Sequence, residues 1–415
     1  MRFEELGVKP QIISNVKRMG FESLTDIQEQ CIRKIIDGKD VVGQAETGSG
    51  KTLAFSLPIL DRAEPGRGIQ ALVLTPTREL CIQVSDVFIE LGNSLNINVT
   101  SVYGGVGIDL QIKKLRNTEV VVGTPGRILD HINRRTIDLG RVRFLVLDET
   151  DRMLDMGFIE DVEEIISHVP KKRQTLMFSA TVYAVLENII GRHLIDPVFV
   201  STKTHVDKSK LRQVYYDIHN PNMKFSLLVH LLKNSTSGPA LVFCATRHES
   251  DFVARNLRSQ GLNASAIHGG MSQNSREKSL DSLKNDRTDI LVATDVAARG
   301  LDMRNVTHVY NYDVPKTPKE YIHRIGRTAR AGEMGDAVTL LTQRDHDNFR
   351  RIRTDEELDI KCEPMPDFNR ITFDRGFGRG GRMDGRSGGG GRDRFHRPSG
   401  RSGRPGRYSG HDSWR

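Results

Sequence analysis

The chain has 415 residues, 37% of them hydrophobic and 27% charged, with a formal net charge of +8. That length gives room for two or three domains with cores of their own, and the composition is that of globular material rather than a disordered or fibrous chain. No apolar run approaches the roughly 18 residues needed to cross a bilayer. The opening MRFEELGVKP lacks a signal peptide's apolar stretch. Cys31, Cys81, Cys244 and Cys362 form no CxxC pair, so neither a disulfide framework nor a zinc site is expected, and a reducing, cytoplasmic setting is. The charge is unevenly placed. The 46 residues Arg370–Arg415 hold 12 Arg against 4 Asp and carry the whole +8, while the preceding 369 residues balance at 49 of each sign. A neutral body thus bears a cationic appendage that also holds 13 of the 38 glycines.

In chain order, short apolar, β-branched runs suited to buried strands fall at 40–44, 70–75, 119–123, 143–148 and 174–179. Amphipathic stretches of helical length separate them, such as Thr77–Leu91 and Gly126–Arg134. That alternation predicts a parallel sheet covered on both faces. The pattern repeats with strands at 213–218, 240–244, 264–268, 289–294, 306–312 and 337–341. Between the halves, STKTHVDKSK (Ser201–Lys210) is polar and without apolar periodicity. The expected organisation is an α/β domain over 1–202, a linker at 203–212, a second α/β domain over 213–355 and an extension at 356–369. The tail from 370 to 415 cannot bury enough surface to offset its chain entropy and is expected to be disordered. Two tandem α/β domains create a cleft between sheet ends, where such folds bind ligands.

Ala45, Glu46, Thr47, Gly48, Ser49, Gly50, Lys51 and Thr52 (AETGSGKT) follow a predicted strand and precede a predicted helix, the context of a phosphate-binding loop. Its glycines let successive N–H groups point at phosphate oxygens, and the helix N-terminus adds favourable potential. Lys51 is placed to reach the β- and γ-phosphates, and the Thr52 hydroxyl to face Mg²⁺. Ala45 stands where the general pattern has its first glycine. Downstream, VLDETD (146–151) ends an apolar strand on carboxylates. Asp148 can hold Mg²⁺ through water, and Glu149 is placed to accept a proton from an attacking water.

Together with these two motifs, the rest of the body resembles the DEAD-box RNA helicases from Phe3 to about residue 350. The resemblance implies two tandem RecA-like parallel-sheet domains and an RNA-stimulated ATPase using ATP and Mg²⁺. GFESLTDIQ (Gly20–Gln28) is similar to the family's Q motif, in which Gln28 reads the adenine edge and Phe21 stacks on its ring; Leu24 replaces a common proline. Pro76, Thr77 and Arg78 of PTREL, the pair Gly104–Gly105, and Thr124, Pro125, Gly126 and Arg127 of TPGR resemble the RNA-facing motifs of the first domain. Internal salt bridges are the competing role for Arg78 and Arg127. In the second domain, Arg247, Gln273, Arg276, Thr294 and Asp295 are implied to line the RNA path, and Asp302 to contact the ATP ribose. Ser179 and Thr181 of SAT are implied to hydrogen-bond the acidic segment and, with Asp151, Arg299 and Arg324, to couple ATP state to the RNA face. Arg327 and Arg330 of HRIGRTAR resemble arginine fingers, and His323 and Arg324 are implied to bind back toward the acidic segment and the catalytic water.

Two positions depart from the family pattern. DEAD reads DETD, with Thr150 in place of alanine, and HRIGRTGR reads HRIGRTAR, with Ala329 in place of glycine. The implied function is local unwinding of short RNA duplexes. An ATP-gated RNA clamp that holds or anneals strands is the competing binding-class reading, and a DNA translocase the third. The tail interleaves Phe373, Phe377, Phe395, Tyr408 and Trp414 with Arg-Gly segments, a composition suited to loose RNA binding by phosphate attraction and stacking.

Overall fold

The computed structural model describes residues 2–45, 48–181, 184–202, 210–235, 238–285, 287–298, 306–329, 334–355 and 358–371. Among these residues, two parallel seven-stranded sheets carry the fold. The first comprises β1 (Val41–Gln44), β2 (Ala71–Leu74), β3 (Val99–Val102), β4 (Val120–Gly123), β5 (Phe144–Leu147), β6 (Gln174–Ser179) and β7 (Val198–Ser201). Their spatial order is β3-β4-β2-β5-β6-β1-β7. The second comprises β8 (Leu211–Ile218), β9 (Ala240–Cys244), β10 (Ala264–Ile267), β11 (Ile290–Thr294), β12 (His308–Asn311), β13 (Gly335–Thr342) and β14 (Lys361–Cys362), in the order β10-β11-β9-β12-β13-β8-β14.

Strands covered on both faces read as unbroken apolar runs, and β2, β4 and β5 are buried at every position. Because side chains alternate across a strand, each run feeds two cores. Val73, Val122, Val146 and Phe178 face the helices Pro10–Arg18, Asp26–Ile36, Lys51–Arg62 and Arg78–Gly92. Leu72, Val121, Leu145 and Met177 face Pro125–Asn133, Ile159–Ser167 and Ala184–His193. Phe55 packs on Phe178 with ring centroids 5.3 Å apart, a pairing that adds about 1 kcal/mol to the area it buries. No helix of the described residues is long and apolar enough to cross a membrane.

Three strands escaped the sequence reading, and all three are sheet edges. β3 alternates between partly buried and buried positions, β7 has a single buried residue among exposed and partly exposed ones, and β14 is two exposed residues. An edge strand meets water on one side and loses the apolar run that marks an interior strand. β8 also begins at Leu211, so Leu211 and Arg212 belong to the sheet rather than to the linker expected at 203–212. The extension is likewise part of the second lobe. Ile360 is buried in its core, Lys361 pairs in parallel with Val214, the Phe368 ring lies 5.6 Å from the His230 ring, and the Ile371 N–H donates to Ser226 Oγ at 3.0 Å. The Arg/Gly tail beyond Ile371, where disorder was expected, lies outside the described residues.

Candidate functional site

The chain leaves β1 and turns through Gly48 and Gly50, both in the left-handed region, to enter the helix Lys51–Arg62. Gly50 has φ +94°, and a Cβ there would collide with the Gln28 amide, so glycine is required on both counts. Gln28 joins the two motifs it lies between. Its Nε2 donates to the Gly50 carbonyl at 3.1 Å, and its Oε1 accepts from the Thr25 N–H at 3.0 Å. Thr25 Oγ1 donates to the Ser49 carbonyl at 2.8 Å. An amide has two donor hydrogens and two acceptor lone pairs, and these two bonds use one of each on Gln28. Phe21 packs half-buried against the first core. Ala45 is buried in that core with its N–H on the Ser179 carbonyl at 3.0 Å, which explains a methyl group where glycine is usual. The Lys51 ammonium donates to the Ala45 carbonyl at 2.6 Å. Thr52 follows Lys51 at the start of the same helix and is partly exposed; Glu46 and Thr47 lie outside the described residues.

The acidic segment forms where β5 ends. The Asp148 N–H donates to the Leu74 carbonyl at 3.0 Å, and its Oδ1 accepts from the Glu149 N–H at 3.0 Å. Burial pushes the Asp148 carboxyl up to about 7, against the pull of Lys51. Glu149 adopts a left-handed φ of +51°, uncommon outside glycine, and its carboxylate meets Arg152 Nη1 at 2.5 Å with both side chains buried. Asp151 accepts from the Thr181 N–H and hydroxyl at 3.2 and 2.9 Å, while Ser179 Oγ donates to the Thr181 carbonyl at 2.7 Å. Burial alone would raise Asp151, but the Thr181 bond and the charges of Lys51 and Arg152 outweigh it and hold the carboxyl low. Asp151, Ser179 and Thr181, implied to act together, are thus joined by hydrogen bonds.

Thr150 has a role of its own. Fully buried, its hydroxyl lies 3.1 Å from the Leu147 carbonyl and 3.3 Å from that of Phe178, bridging β5 and β6. It bonds to backbone rather than to the Glu149 carboxylate. Thr150→Ala is therefore expected to lower the unfolding free energy by about 1 kcal/mol in urea titrations and to leave ATPase kcat within about twofold.

The second lobe closes over this segment. Lys319 Nζ meets Asp155 at 3.3 Å and Arg276 pairs with Glu79 at 2.8 Å, both across the two sheets. His323 faces Asp151 and Arg152. Burial, with Arg152 next, lowers its pKa from 6.5 to about 4. The folded imidazole stays neutral, so as pH falls the unfolded chain takes the proton first. Stability present above pH 6.5 is then lost progressively down to about 4, amounting to about 2 kcal/mol at pH 5. His323→Gln is expected to remove that part of the slope when urea midpoints at about pH 7.5 and pH 5 are compared.

Arg327 is buried close enough to His323 to contribute to its low pKa. Ala329 sits at φ +54°, which is why glycine suits that position, and its methyl packs against the second lobe's core around Tyr321, Ile325 and Phe349. Arg324 departs from expectation. It does not reach the acidic segment but clamps Asp295 through Nε and Nη2, each at 2.6 Å, and donates to Asn311 Oδ1 at 3.1 Å and the Asp313 carbonyl at 2.5 Å. A guanidinium with five donors is satisfied within its own lobe before it can cross a cleft. Arg299, Asp302 and Arg330 lie outside the described residues.

The motifs implied to face RNA lie at the C-terminal ends of the strands in each sheet. Pro76 and Thr77 follow β2, and Thr77 Oγ1 caps the helix Arg78–Gly92 by accepting from the Leu80 N–H at 3.3 Å. Arg78 then lies over Gly104 and Gly105. Gly105 has φ +86°, and any Cβ on it would strike the guanidinium. Thr124, Pro125 and Gly126 begin the helix after β4, with open space above Gly126. Arg127 takes its competing role, donating to the Val106 carbonyl at 3.1 Å and Gln111 Oε1 at 3.0 Å, with Asp130 at 3.7 Å. In the second lobe Arg247 packs on Gly269 and Gly270, Gln273 donates to Glu277 at 3.1 Å, and Thr294 is buried at the end of β11. Arg276 and Asp295, expected along the RNA path, are each held in an ion pair. The residues that sequence reasoning missed, Thr25, Glu79, Arg152, Asp155 and Lys319, all act through partners distant in sequence or through side-chain geometry. For Glu79 one signal was present: an acidic residue inside a motif facing a polyanion needs a cation.

The chain matches the DEAD/DEAH box helicase profile over residues 25–189 and the helicase conserved C-terminal domain profile over 223–332. It is 45% identical over 354 residues to the ATP-dependent RNA helicase CshA of Limosilactobacillus reuteri, covering 85% of this chain and 71% of that protein. The DEAD-box ATP-dependent RNA helicase CshA of Bacillus subtilis is 44% identical over 370 residues, 88% of this chain and 75% of that one. Among solved structures, S. cerevisiae Dbp5 bound to RNA and ADP BeF3 superposes with a TM-score of 0.78 at 29% identity, over 88% of this chain and 95% of that chain. A DEAD box protein from the hyperthermophile Methanococcus jannaschii gives 0.54 at 42% identity, over 88% and 99%. Both helicase profiles are met in order, on two RecA-like sheets, with relatives this similar over most of both lengths: the chain belongs to the DEAD-box RNA helicase family.

Proposed function

We propose that this chain is an ATP-dependent RNA helicase that couples hydrolysis to local separation or remodelling of short RNA duplexes and RNA–protein complexes. The observation that carries this reading is the meeting of the two lobes across the phosphate loop and acidic segment, through Glu79–Arg276, Asp155–Lys319 and His323 against Asp151–Arg152. Catalysis that needs groups from both lobes requires the cleft to close.

The phosphates of ATP lie on the N–H groups of the loop, and Lys51 exchanges the Ala45 carbonyl for phosphate oxygens. Glu149 takes the proton of the attacking water. Arg327, with Arg330, stabilises charge on the γ-phosphate from the opposite lobe. Asp148 and Thr52 are the residues that would hold Mg²⁺, which would neutralise charge on the phosphate oxygens. The fit is supported by a buried carboxyl that burial raises to about 7 even against Lys51, Arg152 and the Glu149 N–H, so that a further cation would favour its charged form. Adenine is read by the free donor and acceptor of Gln28 with Phe21 on its ring, and Asp302 takes the ribose. RNA passes over Arg78 with Gly104–Gly105 in the first lobe and Arg247 in the second. Because RNA contacts both lobes it favours the closed state, so ATP and RNA bind cooperatively. The Arg/Gly tail adds sequence-independent RNA affinity by phosphate attraction and stacking.

Strand displacement on short RNA and matched DNA duplexes, with and without ATP, tests the reading. ATP-dependent displacement of the RNA strand supports it. ATP-dependent binding with no displacement supports an annealing clamp instead, and displacement of DNA alone a translocase.

A further inference from the structure

The two lobes share one plan. The strand orders correspond term by term, with β1 answering to β8, β2 to β9, β3 to β10 and β5 to β12. The RNA-facing devices are repeated as well. Thr77 caps the helix carrying Arg78, which lies over Gly104–Gly105; Thr246 caps the helix Arg247–Ser259, whose Arg247 lies over Gly269–Gly270. The repeat extends to the nucleotide site itself. In the first lobe the turn after β1 delivers Lys51 as the first residue of its helix, and the chain leaving β5 delivers Asp148, whose N–H bonds to Leu74 at the end of β2. In the second, the turn after β8 delivers Lys224 as the first residue of the helix Lys224–Asn234. The chain leaving β12 delivers Asp313, whose N–H bonds to Phe243 in β9 at 3.1 Å.

What differs is the use of the lysine. Lys224 Nζ lies 2.9 Å from Asp313 Oδ1 and 4.4 Å from the centre of the Tyr312 ring, with lysine and aspartate both buried. Arg344 adds a second cation at 2.6 Å on the same oxygen. Burial alone would raise the Asp313 carboxyl, but the Lys224 charge and hydrogen bonds bring it down to about 2, so the pair is ionised at neutral pH. A cavity of about 450 Å³ remains between Lys224, Glu249, Tyr312 and Arg344. The lysine that would receive a phosphate is already neutralised.

The aspartate reaches the RNA face by two routes. Its Oδ2 accepts from the Ala245 N–H at 2.8 Å, two residues before Arg247. Its carbonyl accepts from Arg324, which in turn grips Asp295 at the end of β11. We propose that the Lys224–Asp313 pair is a nucleotide-site framework converted to a positioning device, which fixes Arg247 and the Arg324–Asp295 clamp for RNA. The lysine holds the carboxylate, the carboxylate holds the strand ends, and the strand ends aim the side chains. The inference rests on the RNA path proposed above.

Lys224→Met and the double variant Lys224→Met/Asp313→Leu test it, the double variant because it leaves neither buried charge unpaired and so keeps the fold where the single one does not. RNA-stimulated ATPase is measured against RNA and against ATP, with thermal unfolding in parallel. The expected result in the double variant is a rise of about tenfold in the RNA concentration for half-stimulation, with kcat at saturating RNA and the ATP KM within about twofold, while the single variant loses unfolding temperature as well. Lys224→Arg, which can still grip the carboxylate, is expected to return the RNA value toward wild type. An unchanged RNA requirement in the double variant, or a loss that follows unfolding temperature rather than the missing pair, overturns the inference. A wild-type ATPase that RNA does not stimulate overturns the proposed function instead, so the two failures are separable.

Discussion

Arg327→Ala is expected to lower RNA-stimulated ATPase kcat by about 10³- to 10⁵-fold, with ATP and RNA still bound. Arg327 is buried at the face of the second lobe, beside a His323 kept neutral by burial and by Arg152. In such surroundings a guanidinium that cannot deprotonate acts on transition-state charge at low dielectric and without reorganisation. Arg327→Lys is expected to recover little, since a point charge does not reproduce a planar fork. Single-turnover hydrolysis separates chemistry from product release. A loss under about tenfold would remove Arg327 from the finger role and leave it a structural group. Because the residue is buried, unfolding temperature must be measured beside activity.

Glu149→Gln is expected to cost about 10²- to 10⁴-fold in kcat with little change in ATP KM, the range for removing a positioned general base. The geometry sharpens this expectation. Glu149 is held in a left-handed backbone conformation and bonded to Arg152 at 2.5 Å, so its carboxylate is fixed before substrate arrives. Glutamine preserves the shape and an acceptor oxygen for Arg152 but cannot take a proton. A variant that retains near wild-type kcat would show that another group receives it. If instead ATP KM rises with kcat unchanged, Glu149 serves binding rather than chemistry.

Interior strands were legible because burial on both faces demands unbroken apolar runs, and a mixed edge such as β3 or β7 gives no such signal. Phosphate loop, acidic segment and arginine motif were legible because their chemistry needs particular residue types at short spacing. The Thr150 departure could be seen in the sequence but not interpreted there. Its hydroxyl has meaning only because β5 and β6 bring the Leu147 and Phe178 carbonyls to it. Ala329 was equally visible, whereas its left-handed backbone was not.

By itself, then, the sequence determined the family, the two α/β halves, and the separation of a neutral body from a tail holding all the net charge. These are properties of composition and local spacing. Only the tertiary structure decided which charges are free to act. Arg127, Arg276, Arg324 and Asp295 look alike as candidate site residues along the chain, yet each is committed to a protein partner at least 20 positions away. A buried charge must find its counterion or hydrogen-bond partner wherever the fold supplies one. The same rule made Lys51 and Lys224, equivalent in the two lobes, differ in fate: one rests on a carbonyl it can leave, the other on a carboxylate that holds it.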